Sequence, residues 1–282
     1  PKKLRKFSKK TKLQFRFFLS ILISVLIFIF IYSNINNPFT GKNILSFLFT
    51  SFKLLFCFIC SGLFIFLQIK LKFQNRSIIE ESYYNPVKNF INKYGKFALL
   101  ILLLISLYRM ADVVMGVMAN IFYLEKGYSI SQIATYSKFF GVFATIAGGL
   151  LGGYFAMKFG TMITLFIGAV IASSSNLLFA WLATTEANIK YLISVITADN
   201  ISSGFAGAAF VIYLSGLTSL KFTATQYALF SSIMLFLPKL IAGYSGSWVD
   251  IMGYQNYFIV TALLGIPVLF LIVYISKVAP IK

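Results

Sequence analysis

Histidine is absent from this 282-residue chain, which holds only seven acidic residues, six prolines and two cysteines. Without histidine there is no His-bound metal, no Ser-His or Cys-His catalysis and no imidazole proton relay. Proton chemistry falls to Asp, Glu, Lys or Tyr. Cys57 and Cys60 form a C-x-x-C inside the apolar run 54–66. A structural zinc site takes four ligands, and no His or further Cys exists to complete one. The pair therefore reads as two small side chains facing lipid or core. No catalytic residue, metal or cofactor is expected. Charged residues make up 11% of the chain, well under the quarter or so of soluble domains, while 59% are hydrophobic.

What is present are runs of more than 18 apolar residues without strand alternation, which indicates an all-α polytopic membrane protein and argues against a barrel. Residues 1–16 carry eight Lys/Arg and no acid, followed by the apolar run 17–31. That pattern is shared with signal peptides, but no A-x-A-like site follows in 32–40, so a first membrane helix is expected. A second span covers 45–68. A polar segment, 69–96, holds six Lys/Arg with Glu80, Glu81 and Pro86, and reads as a cytoplasmic linker or a surface-lying helix. Six spans follow, at 97–123, 130–157, 161–183, 191–217, 226–249 and 257–275. The expected divisions are 1–68, 69–96 and 97–282. With both termini in the cytoplasm, cytoplasmic segments hold eighteen Lys/Arg and the opposite loops hold only Lys42, Lys126 and Lys190. This asymmetry obeys the positive-inside rule. The net charge of +18 is thus a membrane-flank signature rather than a nucleic-acid footprint, and the lipid bilayer is the first expected partner.

Gly153-Tyr-Phe-Ala-Met-Lys-Phe-Gly160 recurs in outline as Gly246-Ser-Trp-Val-Asp-Ile-Met-Gly253, 93 residues later. Each segment closes the second span of a trio. Two trios of three must cross the membrane in opposite senses, the logic of inverted-repeat secondary transporters. Charge placement agrees. Asp199 lies mid-way along the otherwise uncharged stretch 191–220, and Arg109 and Asp112 lie in the first helix of the other trio. A carboxylate at the bilayer centre costs about 2.5–3.5 kcal/mol on insertion scales, so such residues face a bundle interior or a water-filled path. Lys138 and Lys239 lie in the second helices, and Lys53 near one end of its span reads as snorkelling. The third helices carry no charge and are expected to face lipid. Arg109 and Asp112, three apart, share a helix face and can neutralise one another. Asp199 has no basic neighbour in its own helix and needs a cation from another, or a proton. Gly148-Gly149-x-x-Gly152-Gly153 and Ser202-Ser203-Gly204 through Gly207 offer close helix contact. Tyr108, Asn200 and Gln226 are polar groups at or near spans, suited to hydrogen-bonding a sugar or peptide.

Four segments carry a family resemblance. They are Tyr108-Arg109-Met110-Ala111-Asp112, Ser137-Lys138-Phe139-Phe140-Gly141, Asp199-Asn200 leading to Gly204 and Ala209-Phe210-Val211, and Thr223-Ala224-Thr225-Gln226-Tyr227-Ala228-Leu229. Over about 96–275 the chain resembles the C-terminal six-helix half of an AmpG-type muropeptide permease, a branch of the major facilitator superfamily. The resemblance implies a 3+3 inverted repeat and a proton-driven importer of anhydro-muropeptides in a bacterial inner membrane. On the leading reading Asp112 and Asp199 are expected to bind protons or substrate amines, and Arg109, Lys138 and Lys239 to bind substrate carboxylates or set the acids' pKa values; Lys138, about two turns into its helix, can instead snorkel. The family more often has Lys, Glu and Arg at the positions of Arg109, Asp199 and Lys239. Each sign is kept, yet hydrogen-bond geometry differs, so substrate preference is expected to differ too. The first two spans have no counterpart in the family pattern and are expected to be an added helical pair. The family's N-terminal half is expected from a separate chain or a second copy. The alternatives are a non-transporting remnant, an interaction subunit, or a permease for another peptide or acyl-CoA.

Overall fold

A computed structural model describes residues 2–39, 44–70 and 80–279. Lys42 and the stretch 71–79 of the expected linker lie outside them. Every regular element among the described residues is helical. The chain divides into two compact units, residues 1–85 and 86–282.

The first unit is an antiparallel hairpin of α1 (Lys2–Asn34) and α2 (Ile44–Lys70), and a short π turn, Glu80–Tyr84, follows later in the chain. Its interface holds polar groups at both ends. The Ser20 hydroxyl donates to Gln68, and Asn37 donates to the Ser46 carbonyl and hydroxyl at 3.0 and 2.9 Å. Between them Phe28 meets Phe58, and the Lys53 ammonium sits 3.8 Å over the Tyr32 ring. Cys57 is buried and Cys60 half-buried, both as free thiols. Among the described residues seven helices are long and apolar enough to cross a bilayer. The first expected span is shorter. Basic residues up to Arg16 occupy the opening turns of α1, which leaves Phe18–Asn34 as its apolar part.

The second unit begins with α3 (Asn85–Tyr94), the amphipathic end of the expected linker, whose Pro86 and Phe90 are buried. Then follow α4 (Ala98–Leu107), α5 (Met110–Glu125), α6 (Ile130–Ile133), a π segment (Ala134–Phe140) and α7 (Gly141–Phe159). The remainder is α8 (Thr161–Thr184), α9 (Ile189–Leu217), α10 (Thr223–Ala242), α11 (Ser245–Leu263) and α12 (Ile266–Val278). Packing is reciprocal between the trios. The first helix of the second trio, α9, packs on α7, while α4 and α5 of the first trio pack on α10. The third helices pack on each other, α8 against α11 and α12.

The repeat seen in sequence has a backbone counterpart. Gly160 has φ 86° and ψ 162°, and Gly253 has φ 74° and ψ 166°, a region that suits glycine because it lacks a Cβ. Both residues turn the second helix into the third. Beyond them Thr164, Leu165, Gly168 and Ala169 are buried on α8, and Tyr257, Phe258, Thr261 and Ala262 are buried on α11 at the same 93-residue separation.

The closest backbone approach joins α7 to α9. A Cβ on Gly148 would fall 2.1 Å from the Ile201 carbonyl oxygen, and one on Gly204 would fall 2.1 Å from that of Thr145. Gly152 is similarly tight against Phe205, whereas Gly153 has open space. Of the two overlapping G-x-x-x-G registers, the one through Gly148 and Gly152 makes the contact. Since the obstacle is backbone on both sides, the helices themselves must separate to admit a methyl. Gly148→Ala and Gly204→Ala are expected to cost about 3 kcal/mol or more, the upper end of overpacking penalties, while Gly153→Ala stays within about 0.5 kcal/mol. Thermal unfolding of the purified chain in detergent measures the contrast.

Candidate functional site

The first helix of the first trio is broken where its charges lie. Residues Tyr108 and Arg109 separate α4 from α5, and Arg109 has φ −95° and ψ 9°, outside the helical region. Neither glycine nor proline forces this break. Arg109 caps α5 as its N-cap residue and Asp112 stands in the first turn, where a carboxylate complements the helix macrodipole. Their side chains form an ion pair across that turn, with 25% and 18% of each exposed. The Arg109 guanidinium lies against Gly207 of α9, where even a Cβ would come within 3.4 Å.

Asp199, Ser203 and Gly207 are four residues apart and so share one face of α9. The Ser203 hydroxyl lies 3.5 Å from the Asp112 carboxylate, a marginal contact. Asp199 is within electrostatic range of both Asp112 and Arg109. No basic group lies within ion-pair distance of it among the described residues. Among the described residues the one hydrogen-bonding contact of its carboxylate is Ser175 of α8, at 3.3 Å from Oδ1. The structure thus gathers Arg109, Asp112 and Asp199 into one half-buried cluster between α5, α8 and α9. Asn200, the next residue, turns toward α7. Its Oδ1 accepts from the Thr145 hydroxyl at 3.0 Å, and its amide packs against Gly141.

The other expected site residues lie apart. The Tyr108 hydroxyl reaches the carbonyls of Leu165 and Ala206 at 3.2 and 3.4 Å, and its ring stacks on Phe210 at 4.5 Å, tying three helices together. Gln226 is buried at the turn between α9 and α10. Its amide donates to the Pro86 carbonyl at 2.8 Å and to Asn89, while its carbonyl accepts from the Ser219 amide at 2.7 Å. That amide is committed to fastening α3 on the bundle. Lys138 and Lys239 are exposed and form no ion pair among the described residues. Both stand at helix irregularities: Lys138 inside the π segment, Lys239 directly after the buried Pro238. Irregular turns of this kind recur at functional sites. Among the described residues no group of three acids or cysteines could hold a metal ion.

The third helix corrects one expectation. Only one face of α8 is lipid-like, with Ile163, Leu177 and Trp181 exposed. Its inner face brings buried Ser175 and Asn176 to the cluster, and Asn176 Nδ2 donates to the Ala111 carbonyl beside Asp112 at 3.2 Å. The sequence did carry a signal for this. Ser173-Ser174-Ser175-Asn176 is a four-residue polar run in mid-span, uncharged and therefore missed by a search for charge.

Removing the Arg109 cation leaves Asp112 half-buried without a counter-charge. Arg109→Met is therefore expected to destabilise the chain by about 2–3 kcal/mol, somewhat under the 3–5 of a fully buried pair. Adding Asp112→Asn should recover most of the loss. Thermal melts of the single and double variants give the coupling; equal losses in both would show the pair to be energetically idle.

No protein-family model matches the chain. Among curated proteins it is 34% identical over 193 residues to "Putative transporter AmpG 4" of Rickettsia felis, covering 68% of this chain and 46% of that protein. It is 33% identical over 192 residues to the protein of the same name from Rickettsia conorii, with 68% and 46% covered. "Putative transporter AmpG 1" of Rickettsia prowazekii is 31% identical over 223 residues, with 73% and 50% covered. The chain spans about half the length of the curated relatives it matches. It is a multi-pass membrane protein and a partial homologue of the AmpG-named transporters.

Proposed function

We propose that the chain forms one half of a proton-coupled permease that imports anhydro-muropeptides across a bacterial inner membrane, with both termini in the cytoplasm. The observation that carries this reading is the contrast between two carboxylates in one cluster. Asp112 has Arg109 as its counter-ion, whereas Asp199, midway along a membrane-spanning helix, has only a hydroxyl. An acid in that position can hold a proton or a substrate ammonium. Asp199 therefore serves as the coupling residue, and Asp112 with Arg109 as the charged wall beside it. Lys138 and Lys239, exposed on the same six-helix bundle, are available to substrate carboxylates. The muropeptide class rests on the likeness to AmpG-type permeases. A second six-helix bundle, from another chain or a second copy, completes the cavity, since alternating access needs two halves around a central site. The chain acts as a carrier and not as an enzyme.

Uptake of labelled anhydro-muropeptide by a permease-deficient strain tests the proposal, with this chain expressed alone and together with a family N-terminal half. Uptake is expected in the second case at least; none in either sinks the transport reading. Asp199→Asn should abolish accumulation while leaving the protein in the membrane. Accumulation that survives the change assigns Asp199 a structural role. For orientation, a cysteine placed at Glu186 should react with an impermeant maleimide on intact spheroplasts, and one at Lys221 only after permeabilisation. The reverse pattern refutes cytoplasmic termini.

A further inference from the structure

The Ser175 hydroxyl touches two acceptors with one proton. It lies 2.8 Å from the Ala172 carbonyl of its own helix and 3.3 Å from Asp199 Oδ1 on α9. A serine hydroxyl offers one O–H and two lone pairs. The 2.8 Å contact is the ordinary length of an O–H···O bond, and 3.3 Å is beyond it. In this geometry the serine proton belongs to Ala172, and a lone pair of Oγ faces the carboxyl. A hydrogen bond with Asp199 then requires the acid itself to supply the proton, with the two oxygens closing from 3.3 Å. Ser175 is 4% exposed, so water does not supply the missing partner readily.

We propose that Ser175 is a positioning residue for the proton carried by Asp199, working through reversal of a single hydroxyl. With Asp199 protonated, its O–H donates to Ser175 Oγ, and the serine O–H donates to the Ala172 carbonyl. When the Asp199 O–H bond breaks, the proton leaves to solvent. The serine hydroxyl then rotates to donate to the carboxylate, and its bond to Ala172 is given up. Both states leave the buried hydroxyl paired, which is the condition a low-dielectric interior imposes. The inference rests on the reading of Asp199 as the coupling residue and adds the group that accommodates both of its states.

Other titratable groups do not take this place. Within electrostatic range of Asp199 are Arg109 and Asp112, which are paired with each other, and Tyr123, also on α5. Helix α8 has no titratable side chain, and α7 has only Tyr154 and Lys158, near its far end. The π segment contributes Tyr136 and exposed Lys138, and α10 contributes Tyr227 and exposed Lys239; none of them hydrogen-bonds Asp199. The adjoining Asn176 extends the consequence. Its amide holds the Ala111 carbonyl beside Asp112 while its own Oδ1, fully buried, has no partner. One turn of α8 thereby touches the surroundings of both carboxylates.

Infrared difference spectroscopy between acid and alkaline pH, on the full chain in lipid vesicles, tests the proposal without substrate or partner. The carboxylic C=O band that vanishes in Asp199→Asn belongs to the protonated acid. In Ser175→Ala that band should persist and move to higher wavenumber, because the acid has lost its hydrogen-bond acceptor. In Ser175→Thr, which keeps the hydroxyl, it should stay where the unaltered chain has it. A band unmoved in Ser175→Ala, or displaced equally in both serine variants, overturns the role of Ser175 alone. Absence of any Asp199-dependent band overturns the protonation of Asp199, and with it the reading beneath.

Discussion

The contact on which the second unit depends is the backbone-to-backbone approach of α7 and α9 at Gly148, Gly152 and Gly204. Inside a bilayer, lipid tails are as apolar as the side chains they would replace. Helices therefore associate through close packing and hydrogen bonds rather than through exclusion of water. Glycine permits the closest packing, and here it fixes the rotation of α9. With Ile201, Gly204 and Phe205 turned to α7, the face carrying Asp199, Ser203 and Gly207 is left for α5 and α8. The charged cluster is a consequence of that rotation.

The same lack of water explains how the polar groups are distributed. Hydroxyls along the spans bond back to carbonyls of their own helices, as Ser106 does to Leu102 and Ser202 to Ala198. Other side chains cross between helices and add a second donor to a backbone carbonyl. Tyr108, Asn176 and Tyr257 each donate to a carbonyl of another helix, and Gln226 does so near the α9–α10 turn. These bonds fasten the bundle around a cluster that is itself only partly satisfied. Among the described residues only Asn176 Oδ1, the Tyr213 hydroxyl and the Ser219 hydroxyl are buried without a partner, and Asn176 is the one beside the cluster.

The irregular backbone follows the charges. Arg109 sits at a break, Lys138 in a π segment and Lys239 beside a proline, whereas Asp199 lies in an unbroken helix. The break at Tyr108–Arg109 places Asp112 in the first turn of a new helix, where the backbone amides favour its charge. The expense of a carboxylate at that depth is met partly by arginine and partly by the helix end. Asp199 has neither an ion pair nor a helix end, which is why the proposed coupling role falls to it.

Seven of the eight expected spans, the 93-residue repeat and the position of Asp199 in an apolar helix were legible in the sequence. Each is a local matter of hydropathy, glycine spacing or charge in an apolar run, and the bilayer penalises violations one residue at a time. The glycines at 160 and 253 announced the repeat because few other residues adopt that backbone region. The Arg109–Asp112 pairing was readable from their spacing of three, but whether a cation from another helix reaches Asp199 was not. That Arg109 stays with Asp112 while Lys138 and Lys239 remain outside the cluster depends on helix rotation, set by contacts between segments distant in sequence. The polar run Ser173–Asn176 was visible as residues but not as a wall of the site, because hydropathy does not say which face of a helix turns inward. Gln226 looked like a ligand group in a motif and became a fastener, since only the fold brings Pro86 and Asn89 to it. The sequence by itself determined what must be hidden from lipid. The tertiary structure decided what each hidden group would meet, because that depends on the angles at which whole helices pack.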